Sequence, residues 1–188
     1  MIIFVTGVTA GFGEAITKKF IANGHIVIGT GRREMRLKKL HQQLGKNFPP
    51  ILLDIMDKQA INNAVNNLNF EKIDVLVNNA GLALGKAFVK QFSLNLRADL
   101  QGKKIRVTDI EPGLVSGTEF SYVRFKGDAE KVSETYKGTN ALTAEDIAEA
   151  VLWVSTLPEH VNINILEMMP VCQSFAGLSI DKEFYNDN

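Results

Sequence analysis

Several things are scarce in this chain. It holds one cysteine, Cys172, in 188 residues, so no internal disulfide can form, which suits a reducing cytoplasm. Net charge is absent, with 21 basic side chains against 21 acidic ones. That balance points to neither nucleic acid nor an anionic membrane as a partner. No apolar stretch approaches the ~20 residues of a membrane span. The opening apolar run, Met1 to Val5, lacks a basic flank and reads as a buried strand rather than a leader. There is no internal repeat, no low-complexity tract and no linker, and no metal site is expected.

What is present is ordinary globular material. Hydrophobic residues make up 45% and charged residues 22%, enough for one domain over 1–188 with a substantial core. Short apolar, β-branched runs at 2–6, 25–30, 51–53, 75–77, 105–110 and 163–166 read as parallel strands covered on both faces. Helical patterns lie between them, at 13–23, 34–44, 58–68 and 86–100. Thr143 and Asp146 form a capping-box pattern that opens another helix. This β-α-β alternation predicts an α/β fold, a doubly wound parallel sheet of Rossmann type. Residues 168–188 show no period and are expected to form an arm across a neighbouring surface, or to be partly disordered.

Where the first strand becomes the first helix, the sequence reads Thr6-Gly7-Val8-Thr9-Ala10-Gly11-Phe12-Gly13. A pyrophosphate must approach backbone N–H groups closely there, and a Cβ would interfere. The helix N-terminus adds partial positive charge. The second strand ends at Arg32-Arg33, with no carboxylate before Glu34. Two guanidinium groups match a 2′-phosphate in charge and bidentate geometry, so NADP is expected rather than NAD. Asn78-Asn79-Ala80-Gly81 follows the fourth strand at the carboxyl edge, where ligands bind in open α/β sheets.

In this order, these motifs together with Glu111-Pro112-Gly113 resemble the short-chain dehydrogenase/reductase family. The resemblance implies that Asp54 accepts a hydrogen bond from the adenine amino group and that Ile55 lines the ring. It assigns Asn78 to Gly81 to sheet-end stabilisation and the cofactor ribose. It implies that the main chain of Pro112, Gly113, Leu114 and Val115 clamps the nicotinamide carboxamide, with Thr118 contacting the carboxamide or pyrophosphate. A lid would follow, about 115–140, and within it Arg124 is a candidate for holding a substrate carboxylate.

The family's catalytic motif is Y-x-x-x-K, with a serine nearby. A tyrosine protonates the alkoxide, and a lysine lowers its pKa and holds the nicotinamide ribose. Lys86 resembles that lysine, because Lys86 to Ser93 resembles the helix that follows it. Four residues earlier stands Leu82, and no serine lies between Gly81 and Lys86. A helix, a strand and the active-site serine and tyrosine are therefore missing near Gly85 and Lys86. Either the polypeptide carries an internal deletion, or the 188 residues leave out a disordered loop of a longer one. Deleting a central strand would force the fourth strand to pair anew and strand polar backbone, which favours the second. A literal Tyr122-x-x-x-Lys126 lies in the lid, on the wrong side of Pro112-Gly113, and reads as a chance match.

Thr30 to Arg33, Asn79 to Gly85, Gln91 to Arg97 and Glu111 to Val115 resemble one branch of the family, the bacterial NADP-dependent 3-hydroxy acid dehydrogenases. So do Ser155 to Pro158 and Asn162 to Asn164. That resemblance implies small substrates with a hydroxyl β to a carboxylate. It also implies a homotetramer with the 86–100 helices packed between subunits. Two rival readings are a catalytically inactive NADP-binding regulator or scaffold, and a structural oligomer with a vestigial site.

Overall fold

The computed structural model describes residues 1–80, 86–174 and 180–181, with the side chains of Lys86 and Ala87 outside the description. The chain divides into two compact units, Met1–Gly81 and Leu82–Asn188.

The first unit is built on a four-stranded sheet of β1 (Ile2–Thr6), β2 (Ile26–Gly31), β3 (Pro50–Leu52) and β4 (Val75–Val77). The strand order is β3-β2-β1-β4 and every pairing is parallel. Thr6 lies beside Thr30, Val5 beside Val77 and Gly31 beside Leu52, so all four carboxyl ends meet along one edge. The connections are α1 (Gly11–Ala22), α2 (Glu34–Leu44) and α3 (Lys58–Asn66). The core is made of Ile3 and Val5 of β1, Val27 and Ile28 of β2, Ile16 and Phe20 of α1, and Phe48. Each such side chain contributes about 1.5–3 kcal/mol by leaving water. α1 buries one face, with Ala15 and Ile16 inside and Phe20 wholly so.

β4 departs from the expectation of a strand covered on both faces. Among the described residues it pairs only with β1, and Leu76 is 60% exposed. With a single neighbouring strand, fewer side chains surround Leu76.

The second unit holds α4 (Lys86–Asp99), β5 (Asp109–Pro112), α5 (Glu119–Arg124), α6 (Ala129–Tyr136), α7 (Ala144–Thr156) and β6 (Ile165–Met168). β5 and β6 form a parallel pair in register from Asp109 beside Ile165. The strand expected at 105–110 begins only at Asp109. Ahead of it, the Val107 backbone is satisfied by a side chain: its N–H donates to Asn162 Oδ1 at 2.9 Å and its carbonyl accepts from Asn162 Nδ2 at 3.2 Å. Arg106 turns away to α7. Its Nη1 donates to the carbonyls of Val154, Leu157 and Val161, and its Nη2 to that of Ser155 at 2.9 Å. A cation thus closes the negative end of α7. At the other end the capping box is present. Thr143 Oγ1 accepts from the Asp146 N–H at 3.2 Å, and the Asp146 carboxylate accepts from the Thr143 N–H at 2.8 Å.

Candidate functional site

The carboxyl edge of the four-stranded sheet gathers most of the cofactor residues expected from the sequence. The Thr30 carbonyl accepts from both the Gly7 and the Val8 N–H at 2.9 Å, which bends the chain sharply off β1. Gly13 then packs directly on the turn. A Cβ there would lie 2.3 Å from the Gly7 oxygen, so only glycine lets α1 start this close to β1. The N-cap of α1 is Ala10, with no side-chain cap. By contrast α3, α6 and α7 are capped by Asp57, Asp128 and Thr143. The first-turn N–H groups of α1, including those of Phe12 and Gly13, are left to a ligand or water. A glycine-rich turn at a helix end without a side-chain cap fits a nucleotide pyrophosphate.

Asn79 fastens this turn to β4. Its Nδ2 donates to the carbonyls of Thr6 at 2.9 Å and Gly7 at 3.1 Å. In return, Thr6 Oγ1 accepts from the N–H groups of Asn79 at 3.0 Å and Ala80 at 2.9 Å. The sheet-end role expected of this motif therefore falls on Asn79. Its partner Thr6 was not singled out in the sequence, although it immediately precedes the glycine motif. Asn78 is exposed next to it. Gly81 lies outside the described residues, as do Leu82 to Gly85, which border the expected gap.

Arg32 and Arg33 stand exposed at the end of β2. The Arg33 Nε donates to Thr9 Oγ1 at 3.0 Å. Arg32 Nη1 lies 3.8 Å from the Asp54 carboxylate, which also accepts from the Met56 N–H at 3.0 Å. Asp54 is thus a turn-forming residue that faces a guanidinium, beside a 39% exposed Ile55. The arrangement gathers cationic groups at the end of β2. Arg36, which the sequence did not suggest, reaches the Thr9 carbonyl with Nη1 at 3.3 Å.

In the second unit the stretch expected to clamp a carboxamide is largely engaged by the protein itself. The Gly113 N–H donates to the Met168 carbonyl at 2.7 Å, and the Leu114 N–H to Gln173 Oε1 at 2.7 Å. The Leu114 carbonyl accepts from Leu142 and the Val115 carbonyl from the Tyr136 hydroxyl at 2.9 Å. A Cβ at Gly113 would lie 2.4 Å from Gln173 Oε1, so a larger residue there would push the Gln173 side chain aside. Gln173 belongs to the aperiodic segment after 168, where no pattern could have flagged it. Pro112 ends β5, and Thr118 is the N-cap of α5 without a side-chain cap bond.

The lid region contains two short helices, α5 and α6, tied by a hydrogen bond between the Ser121 and Tyr136 hydroxyls. Arg124 ends α5 with its guanidinium 5.6 Å from the centre of the Phe125 ring, a cation–π contact. Tyr122 is 51% exposed, and Lys126 lies past the helix end with φ +52°. The two are therefore not one helical turn apart on a common face. Lys86 opens α4. Among the described residues no cluster of His, Cys, Asp and Glu could hold a metal, and no helix is long and apolar enough to cross a membrane.

The family model for short chain dehydrogenases matches residues 1–85. The chain is 47% identical over 248 positions to an NADP-dependent 3-hydroxy acid dehydrogenase, YdfG, of Escherichia coli strain K12. The match takes in 97% of this chain and all of that protein. It is 40% identical over 245 positions to a serine 3-dehydrogenase of Agrobacterium fabrum, covering 96% of this chain and 98% of that one. Among solved structures, the closed form of a serine dehydrogenase complexed with NADP+ matches with a TM-score of 0.90 and 47% identity. That match covers 96% of this chain and 99% of the other. Both sequence alignments are longer than the 188 residues compared, so they bridge positions at which this chain has no residue. The family match stops at residue 85, at the edge of the gap expected there. Fold, motif order and full-length similarity agree: the chain belongs to the short-chain dehydrogenase family and has its Rossmann-type fold.

Proposed function

We propose that this protein is an NADP(H)-dependent oxidoreductase that interconverts small 3-hydroxy acids and the matching oxo acids or semialdehydes. The observation that carries the reading is the match, at 47% identity and over nearly all of both chains, to a serine dehydrogenase holding NADP+. The phosphate turn and the Arg32–Arg33 pair support NADP as the cofactor. Bound NADP supplies a hydride acceptor, or a donor when reduced. The chain's own contribution is to seat the pyrophosphate on Gly7, Thr9, Ala10, Gly11, Phe12 and Gly13, and to face the 2′-phosphate with Arg32 and Arg33.

Asp54 and Ile55 border the adenine site in this reading, and Asn78 to Gly81 the ribose. Pro112 to Val115 and Thr118 border the nicotinamide, and Arg124 takes a substrate carboxylate. Lys86 is the catalytic lysine, and it requires a tyrosine and a serine from the segment missing between Gly85 and Lys86. In this reading residues 1–188 form a single domain, with a cytoplasmic location that fits the single cysteine. A homotetramer is supported by the apolar face of α4, where Phe88 is 73%, Val89 48% and Phe92 54% exposed.

The test is NADPH oxidation with malonic semialdehyde and NADP+ reduction with serine and other 3-hydroxy acids, using the full gene product. Turnover supports the enzyme. The gap favours one other reading: NADPH binding without turnover on any of these substrates would make the protein a catalytically inactive NADP-binding regulator or scaffold. Failure to bind NADPH at all would leave a structural oligomer.

A further inference from the structure

Thr9 is held twice, from the N-cap and from the first turn of α2. Arg33 binds its hydroxyl at 3.0 Å and Arg36 its carbonyl at 3.3 Å, while Thr9 itself is only 8% exposed. Arg36 lines an open groove of about 250 Å³ between α1 and α2, together with Lys18, Lys39 and Glu14. The carbonyl that Arg36 grips belongs to the peptide unit joining Thr9 to Ala10. Peptide units are planar and trans, so the N–H of Ala10 must point opposite to the Thr9 oxygen, away from α2. Ala10 is also the N-cap of α1, and no side chain caps that helix.

A phosphate-binding turn works only if it shows N–H groups to the anion and keeps its carbonyls turned away, because a carbonyl oxygen would repel the phosphate. If this one peptide flipped, it would exchange an attractive group for a repulsive one. A guanidinium on the carbonyl opposes that flip with a charge-assisted hydrogen bond. Arg32 and Arg33 leave the carboxyl end of β2 beside the expected 2′-phosphate. Arg36 instead acts from the back of the turn.

We propose that Arg36 is a positioning residue that locks the Thr9–Ala10 peptide with its N–H toward the nucleotide diphosphate, so that it serves any dinucleotide alike and takes no part in choosing NADP over NAD. The inference rests on the dinucleotide-binding reading above. It separates Arg36 from Arg32 although the two lie four residues apart.

The experiment is calorimetric titration of the full chain and its Arg36→Met and Arg36→Lys variants with NADPH and with NADH, alongside thermal unfolding of each. Arg36→Met is expected to weaken both cofactors by the same factor, about fivefold to tenfold, less than the full worth of a charge-assisted hydrogen bond because Arg36 is exposed and its bond is long at 3.3 Å. Arg36→Lys, which can still donate to the carbonyl, should recover part of that loss for both. A loss confined to NADPH would overturn the proposal, since it would place Arg36 on the 2′-phosphate. Unchanged affinities would overturn it too, including the case where only the melting temperature falls. If the unaltered protein binds neither cofactor, the dinucleotide-binding reading itself fails, a result distinct from the others.

Discussion

Replacing Thr6 by valine tests the joint between the phosphate turn and β4. The two side chains have nearly the same shape, so packing is preserved and the hydroxyl alone is removed. Thr6 Oγ1 accepts two backbone N–H groups, from Asn79 at 3.0 Å and Ala80 at 2.9 Å. It also makes a longer bond to the Val77 carbonyl at 3.4 Å. Thr6 is 9% exposed, so water can replace these bonds only in part. An orphaned buried donor costs about 1–3 kcal/mol, and with two of them partly rehydrated the loss is about 2–4 kcal/mol. In a chain of this size that lowers the melting temperature by roughly 5–12 °C. The same change loosens the backbone of Asn79, whose Nδ2 holds the Gly7 carbonyl at 3.1 Å, so NADPH affinity should fall as well. Thr6→Ser keeps the hydroxyl and is the control. Urea titration followed by tryptophan-independent circular dichroism gives the stability, and calorimetry gives the affinity. A Thr6→Val protein within about 1 kcal/mol of the parent, with unchanged NADPH binding, would refute the reasoning.

Reversing the charge at Arg32 should weaken NADPH about tenfold to a hundredfold while leaving NADH binding nearly unaffected, as measured by paired titrations. Removing the guanidinium of Arg106 as Arg106→Met should cost about 2–4 kcal/mol, because up to four carbonyls around the end of α7 lose one charged donor. Arg106→Lys should restore only part of this, and urea unfolding of the two variants decides it. Asp74 accepts from the Ile2 N–H at 2.7 Å and pairs with Lys72 at 2.8 Å. Its carboxyl is held below the ordinary value of 3.8, first by the bond from Lys72 and then by that from Ile2. The folded form therefore releases its proton more readily than the unfolded chain. This contribution is complete above pH 3.8 and is lost as the pH falls through the lower folded value. Asp74→Asn should flatten the stability–pH curve in that acid range, and an unchanged slope there would count against the Asp74 assignment.

Much of the cofactor half was legible because its signals are local. Gly7, Gly11 and Gly13 sit between an apolar run and an amphipathic one, and strand-turn-helix geometry follows from that spacing alone. Glu34–Leu44 and the Thr143–Asp146 box have the bounds and cap expected, since their periodicity and capping chemistry lie within a few residues. The absence of the tyrosine segment was likewise readable, as a spacing too short between Gly81 and Lys86.

Other features depend on partners distant in sequence. The fifth strand starts at Asp109 rather than at 105 because its ladder exists only where β6 runs beside it. Asn162, 55 positions from Val107, takes over the backbone upstream. Asp54 turned out to face Arg32, and Arg36 to hold the Thr9 carbonyl from 27 positions away. Gln173 closed on Leu114 from 59 positions away. No window of sequence contains both members of such pairs. By itself the sequence indicated most of the strands and helices, the glycine turn, the arginine pair, and a spacing too short between Gly81 and Lys86. Only the tertiary structure decided which side chains those groups meet, because hydrogen-bond partners are chosen by distances that folding creates.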